Sequence, residues 1–112
     1  MINELEKGFY YHYKHDPNGE VNNYAYEVLS IGHHTEMHHG EDGGVDESLM
    51  VVYRPLYESA FVYQVGKHWD VRPLSMFLED ITKDNKTTPR FQKIVDLETI
   101  NKLIEIRDFM YK

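Results

Sequence analysis

The N-terminal part of the chain alternates between aromatic residues and more polar ones, a pattern that predicts β-strands. In Gly8–Lys14 the rings of Phe9, Tyr11 and Tyr13 are spaced two residues apart, so they share one face of a strand. Aromatic side chains favour strands because they pack well on a pleated surface. We expect this face to turn towards the core. The other face is expected to be partly solvated and carries Tyr10, His12 and Lys14.

Further segments along the chain have the composition of strands. They are Tyr24–Ile31, Leu49–Leu56, Trp69–Arg72 and Arg90–Val95, with Glu58–Lys67 as an ambiguous addition. Pro55 and Pro73 lack an amide hydrogen, so we expect strands to end at or near them. Leu74–Phe77 follows a proline and is predicted to form one helical turn. Lys83–Lys86 is predicted to be a turn.

The densest apolar and aromatic stretch runs from Leu49 to Phe77 and contains the only tryptophan, Trp69. Its position within this stretch predicts that Trp69 is largely buried. Replacing it by alanine would then cost about 3 to 5 kcal/mol, as expected for a large truncation in a core.

The last segment changes from a two-residue period to a helical one. Apolar residues recur on one side of a predicted helix over Asp96–Tyr111, among them Leu97, Ile100, Leu103 and Ile104. Asp96 is a suitable N-cap because its carboxylate can accept hydrogen bonds from the first turn. We expect these four side chains to be buried, with the helix packed across one open end of its own barrel. Dimerisation through the helix is the alternative.

Composition restricts the possible partners. The 112 residues carry a formal net charge of −7 and include no cysteine, which excludes disulfides and thiolate metal sites and favours a cytoplasmic location. Binding to nucleic acids depends on lysine and arginine neutralising phosphates, so a nucleic-acid partner is not expected. No segment is long and apolar enough to span a membrane. The length predicts a single domain, residues 1–112, and no residue pattern calls for a cofactor.

The chain resembles a small bacterial family, the domain of unknown function 1653, over about residues 7–94. The most specific match is the nonapeptide Trp69–Phe77, which has the pattern Trp-x-Val-Arg-Pro-Leu-x-Met-Phe. Weaker matches follow the same order along the chain: Gly8–Lys14, Tyr26–Leu29, His34–Glu36, Val51–Arg54, Leu56-Tyr57 and Pro89–Phe91.

The resemblance implies a mainly β fold, a small Src-homology-3-like barrel of five to six strands, followed here by the C-terminal helix. It implies no activity and no catalytic residue. This chain departs from the family pattern in a long loop at Met37–Ser48, a long connection at Glu58–His68 and the helix after Val95. A function located in these insertions would be peculiar to this protein.

The first candidate site combines aromatic and basic residues, which small barrels use to bind peptides or nucleotides. Its members are His12, Tyr13, Lys14, Tyr53, Arg54, Trp69 and Arg72. Arginine suits such a site because it can stack on rings and bind carboxylate or phosphate through two hydrogen bonds. The alternative is that Trp69 and Tyr53 are core residues and that the arginines pair with Glu27, Glu36 or Asp70.

The second candidate is the histidine-rich segment His33–His39, which precedes an acidic, glycine-rich stretch. On a strand, His34, Glu36 and His38 share a face but are too far apart for one ion unless the loop folds back, so we predict no metal site. Glu36–Asp46 is predicted to be a mobile hairpin loop. A histidine and a carboxylate suffice for general acid–base catalysis, which makes His34 and Glu36 the pair to test if a reaction exists.

We conclude from the sequence that the protein is a non-enzymatic binding or adaptor module for a peptide or small anionic ligand. The alternative is a small hydrolase-like or metal-dependent activity at His34 and Glu36. Residues assigned to ligand binding are His12, Tyr13, Lys14, His34, Glu36, Tyr53, Arg54, Trp69 and Arg72. A monomer is expected, with protein, peptide or small-molecule ligands as partners.

Overall fold

A computed structural model of the protein describes residues 5–35, 48–58 and 69–111. The described elements are β1 (Gly8–His12), β2 (Ala25–His33), β3 (Leu49–Pro55), β4 (Asp70–Pro73), α1 (Leu74–Phe77), β5 (Asp80–Lys83), β6 (Lys86–Pro89), β7 (Phe91–Lys93) and α2 (Leu97–Met110). The predicted mobile loop lies outside these residues, as does all of Glu58–Lys67 except Glu58. No helix of the described part is long and apolar enough to cross a membrane.

Five of the strands form one antiparallel sheet in the order β4-β3-β2-β1-β7, and β5 pairs with β6 in a separate hairpin. The mainly β fold and the C-terminal helix are confirmed. A closed barrel is not: within the described ranges, β4 and β7 are the two edges of the sheet and do not pair with each other. The Src-homology-3-like geometry remains a prediction.

The sheet is covered on both faces, so it has two hydrophobic cores. One face, here called the helix face, packs Phe9, Ala25 and Leu56 against Leu103 of α2. The opposite face, here called the aromatic face, is packed against Leu74 and Phe77 of α1. Its buried sheet residues are Tyr10, Val28, Val51, Tyr53 and Phe91.

Coverage on both faces overturns the predicted orientation of β1. Phe9 is 6% exposed, as expected for a residue that faces a core, but Tyr10 is also buried, at 5%. Tyr10 lies in the core of the aromatic face, where its hydroxyl donates a hydrogen bond to the carbonyl oxygen of Glu6 (2.7 Å). The prediction that Tyr10 is partly solvated was wrong because neighbouring strand residues point to opposite faces and both faces are covered here.

The prediction that Trp69 is buried was also wrong, since 59% of this residue is exposed. Trp69 immediately precedes β4, which is an edge strand, and its neighbour Asp70 is the first residue of β4 paired with β3. Val71, the next residue but one, is likewise exposed. Residues at a sheet edge have fewer neighbours, and the density of apolar residues along the chain does not reveal which strand lies at the edge.

The C-terminal helix begins where the sequence predicts. The Asp96 carboxylate accepts hydrogen bonds from the amide (2.9 Å) and the hydroxyl (2.6 Å) of Thr99. Of the four side chains expected to be buried, Leu103 is fully buried, Ile100 and Ile104 are half-buried, and Leu97 is 73% exposed. Leu97 is exposed although it belongs to the apolar stripe, because it occupies the first helical position. The helix packs on a face of the sheet and not across the end of a barrel.

The β5–β6 hairpin was not predicted, although its turn was. Asp84 and Asn85 connect the two strands and both have positive φ angles, 53° and 64°. Two consecutive residues with positive φ form the turn that matches the twist of a two-residue hairpin. The flanking residues are almost all polar and exposed, so they show no alternation from which strands could have been predicted.

Candidate functional site

A continuous group of aromatic rings lies at one end of the aromatic face. The ring of Tyr26 on β2 lies 5.6 Å from that of Tyr53 on β3 and 5.6 Å from that of Phe91 on β7. These contacts are edge-to-face, the arrangement that the charge distribution of aromatic rings favours. Rings this close fill the space between them, so a ligand would contact the margin of the group and would not enter it.

His12 lies at this margin, at the end of β1. Its ring packs edge-to-face on Phe91, with centroids 5.0 Å apart, and lies 4.5 Å from the ring of Tyr13. The Nδ1 atom accepts a hydrogen bond from the amide of Lys14 (3.2 Å), which assigns the proton of the neutral ring to Nε2. His12 therefore offers an N–H donor.

The electrostatic environment keeps His12 neutral near pH 7. Partial burial lowers the pKa of His12 to about 4, and the positive charges of Lys14, Arg72 and Arg90 act in the same direction. The end of the aromatic face is therefore locally positive, although the chain as a whole is strongly acidic.

Arg72 supplies the second polar group of the site. Its Nε donates a hydrogen bond to the Tyr53 hydroxyl (3.2 Å), and its guanidinium carbon lies 5.5 Å from the centroid of the Phe91 ring. Among the described residues, no carboxylate lies within ion-pair distance of Arg72. Asp70 is near enough for Arg72 to lower its pKa, but burial is the larger effect and raises the pKa of Asp70 overall.

The three cations around His12 differ in their partners. Arg90 forms an ion pair with Glu79, which neutralises much of its charge. Lys14 is exposed, and its Nζ lies 6.0 Å from the centroid of the Tyr13 ring. Like Arg72, Lys14 has no carboxylate partner in the part of the chain that the structure describes. Two positive charges beside His12 are thus available to an anion.

Three tyrosines that the sequence reasoning did not include complete the margin. The hydroxyls of Tyr26 and Tyr57 share a hydrogen bond of 2.5 Å, and the ring of Tyr24 lies 5.6 Å from that of Tyr57. Burial raises the pKa of both Tyr26 and Tyr57, so both hydroxyls stay protonated near neutral pH. Tyr24 and Tyr26 are two residues apart around the start of β2, a spacing that could have indicated a shared face.

The structure brings together five of the predicted site residues: His12, Tyr13, Lys14, Tyr53 and Arg72. Arg54 lies on the helix face, bound to Glu27 at 2.9 Å. Trp69 is exposed next to the sheet edge formed by β4.

His34 follows β2 at the end remote from His12, and its amide donates a hydrogen bond to the Ser48 carbonyl (2.8 Å). Its predicted partner Glu36 lies outside the described residues, so catalysis by this pair stays a hypothesis. No group of three potential metal ligands is found in the described ranges.

A shallow pocket of about 230 Å³ adjoins the site. It is lined by Tyr11, His12, Tyr13, His15, Pro17, Thr88, Pro89 and Gln92. His12 and Tyr13 connect the two regions, because both line the pocket and their rings lie 4.5 Å apart.

Residues 8–93 match the family model described as "Protein of unknown function (DUF1653)". The chain belongs to this family. The matched region includes β1 to β7, and hence every described residue of the candidate site, whereas α2 lies beyond it. No curated protein and no solved structure matches the chain significantly.

The low pKa of His12 predicts a specific loss of stability in acid. An unfolded histidine titrates near pH 6.5, so between about pH 4 and pH 6.5 the unfolded chain binds more protons at this position. His12 therefore contributes stability that is complete above about pH 6.5 and is lost as the pH falls towards 4. After allowance for solvent screening, we expect the loss to be about 1 to 2 kcal/mol. The free energy of unfolding should be measured by urea denaturation across this range.

The variant His12→Gln retains a polar side chain but cannot titrate, so its stability should depend less on pH in this window. NMR titration of the His12 ring gives a direct check. A midpoint close to that of an unfolded histidine would contradict the assignment.

Proposed function

We propose that the protein is a non-enzymatic binding module that takes a small anionic ligand beside His12. The observation that carries this proposal is the presence of two cations, Lys14 and Arg72, around a neutral histidine, without a carboxylate partner among the described residues. An anion would satisfy these charges and accept a hydrogen bond from Nε2 of His12.

The side chains of Lys14, Arg72 and His12 are suited to bind a carboxylate or a phosphate. Nε of Arg72 is held by the Tyr53 hydroxyl, and its terminal nitrogens have no hydrogen-bond partner in the described part of the chain. A guanidinium in this state can bind two oxygens of one anion, which is stronger and more directional than a single contact. The aromatic surroundings exclude water in part and therefore strengthen the attraction.

Binding is favoured over catalysis because the site supplies positive charge and donors but no recognisable nucleophile. Arg72 lowers the pKa of the Asp70 carboxylate, but burial is the larger effect and raises it overall. The tyrosine hydroxyls of Tyr26 and Tyr57 hold each other and stay protonated. A neutral His12 paired with a backbone amide is suited to donate a hydrogen bond to a ligand.

The test is a titration of the full chain with inorganic phosphate, in which binding is monitored through NMR chemical shifts. Phosphate should shift the signals of His12 and Arg72 with a saturable curve. Arg72→Gln should weaken binding by about tenfold or more, as expected when a charge-assisted hydrogen bond is lost. Lys14→Gln should weaken it less, because Lys14 is exposed.

The matched control is Lys86→Gln, which removes the same charge from an exposed residue of β6. Phosphate affinity should be unchanged in this variant. If all three substitutions weakened binding equally, phosphate would be responding to net charge, and the assignment of a site at His12 would be wrong.

A further inference from the structure

The pocket beside the candidate site has a shape and a chemistry of its own. Its volume of about 230 Å³ exceeds the roughly 150 Å³ of a cavity that accepts benzene, so it has room for a ring system but not for several residues of a peptide. Its lining includes the aromatic residues Tyr11, Tyr13 and His15 together with Pro17, and Thr88 and Gln92 contribute uncharged polar side chains. Among the described residues, no aspartate, glutamate, lysine or arginine lines it, which favours an uncharged occupant.

The part of the pocket formed by His15 is ordered before any ligand binds, by contacts within the protein. The His15 ring stacks on Tyr11 with centroids 3.5 Å apart and planes 15° from parallel. Its Nδ1 hydrogen bonds to the Asn23 carbonyl (2.7 Å), so Nε2 of the neutral ring is an acceptor. The Tyr11 hydroxyl is held in turn by the Val21 carbonyl (2.5 Å). A pre-ordered wall reduces the entropy that a ligand must lose on binding.

Positive charge lies directly beside this neutral pocket. The Nζ atom of Lys14 is 6.0 Å from the centroid of the Tyr13 ring, and the same ring touches His12. His12 itself lines the pocket and packs on Phe91, and Arg72 lies against the same Phe91 ring. A ligand with a neutral ring in the pocket could therefore place an anionic substituent near Lys14 and His12.

We propose that the pocket binds the base of a mononucleotide whose phosphate is held by Lys14, His12 and Arg72. This inference rests on the proposed function and names its ligand class. A nucleobase is planar and uncharged, so it can lie on the rings of Tyr13 or His15. Its edge carries donors and acceptors that match the Gln92 amide, the Thr88 hydroxyl and the acceptor Nε2 of His15. A polynucleotide is disfavoured by the acidic net charge, which leaves a single nucleotide as the fitting form.

The experiment titrates the full chain with four kinds of probe and follows the NMR signals of the protein. The probes are inorganic phosphate, ribose 5-phosphate, a nucleoside and the corresponding nucleoside monophosphate. The last two are tested with each of the four common bases. At least one monophosphate should bind about tenfold or more tightly than phosphate, because base stacking adds to the phosphate contacts. The corresponding nucleoside, which lacks the phosphate, should shift the NMR signals of Thr88 and Gln92. Ribose 5-phosphate should bind no more tightly than phosphate.

Variants separate the two halves of the site. Thr88→Val keeps the shape of the side chain but removes the hydroxyl, and should weaken the best monophosphate about three- to tenfold while leaving phosphate unchanged. The matched control is Thr87→Val in the same strand, whose hydroxyl contacts Thr82 and does not line the pocket. Arg72→Gln should weaken phosphate and the monophosphate by the same factor.

The outcomes separate the nucleotide inference from the proposed function. If phosphate binds at His12 and no monophosphate binds more tightly, the inference is wrong and the proposed function stands. If ribose 5-phosphate matches the best monophosphate, the base contributes nothing and the inference is again wrong. If neither phosphate nor any monophosphate shifts these residues, both are wrong.

Discussion

Replacing Phe77 by alanine is expected to lower the free energy of unfolding by about 3 to 5 kcal/mol, the range for removing a large aromatic side chain from a core. Phe77 is 1% exposed. Its ring stacks on Phe91 with centroids 4.0 Å apart and contacts Tyr10 and Tyr53 edge-to-face at 5.6 and 5.7 Å. Truncation would leave a cavity between α1 and the sheet that these rings cannot fill without moving. Urea denaturation followed by circular dichroism measures the change.

The control for this prediction is Trp69→Ala, which removes a larger ring eight residues earlier in the same family motif. Because Trp69 is mostly exposed, its removal should cost no more than about 1 kcal/mol. If Trp69→Ala destabilised the protein as much as Phe77→Ala, the assignment of Trp69 to the surface would be contradicted. Phe77→Leu should cost less than Phe77→Ala, because leucine fills part of the cavity.

Phe91 connects the fold to the candidate site, since it stacks on Phe77 and also supports His12 and Arg72. A cavity beneath Phe91 would loosen both polar groups. We therefore expect Phe77→Ala to weaken phosphate binding as well as stability, whereas Trp69→Ala should leave phosphate binding unchanged.

Several elements of the fold could be predicted because their causes are local. The N-cap at Asp96 and the turn at Lys83–Lys86 depend on residues within three positions. The alternating aromatic residues of Gly8–Lys14 also predict a strand without reference to the rest of the chain. The cap and the turn are stabilised mainly by contacts within their own segments, whereas the strand pairs with β2 and β7.

The number of cores could not be predicted, because it depends on which elements cover the sheet. Phe9 and Tyr10 are neighbours on β1 and both are aromatic, so the sequence alone cannot show whether one or both faces are covered. The exposure of Trp69 has the same origin. Burial at that position depends on the order of the strands, which places β4 at an edge.

The candidate site was predicted in part, and the misplaced Arg54 has a simple physical explanation. Tyr53 and Arg54 are adjacent on β3, and adjacent residues of a strand point to opposite faces. Tyr53 therefore lies on the aromatic face and Arg54 on the helix face. Arg72 pairs across the sheet with Val51, which shares a face with Tyr53, and this register brings Arg72 to the aromatic face.

On the helix face, Glu27 joins the sheet to the C-terminal helix. This buried carboxylate binds Arg54 on β3 and Arg107 on α2, each at 2.9 Å. The guanidinium of Arg54 lies 4.1 Å from the centroid of the Tyr111 ring, and the Tyr111 hydroxyl donates to the Pro55 carbonyl (2.6 Å). One carboxylate therefore holds two cations that sit between the sheet and the helix.

Substituting Glu27 by alanine is expected to cost about 3 to 5 kcal/mol, because removing one partner of a buried ion pair leaves uncompensated charge. Here Arg54 would lose its carboxylate partner and Arg107 would keep only the exposed Asp108, so α2 should also separate from the sheet more readily. Hydrogen exchange should then accelerate in Leu97–Met110 more than in β2 and β3. The control is Glu98→Ala, which removes an exposed carboxylate paired with Lys102 on the helix surface and should change stability by no more than about 0.5 kcal/mol. If Glu27→Ala left the exchange of α2 unchanged, the apolar contacts of Leu103 and Met110 would suffice to hold the helix, and the ion network would have no docking role.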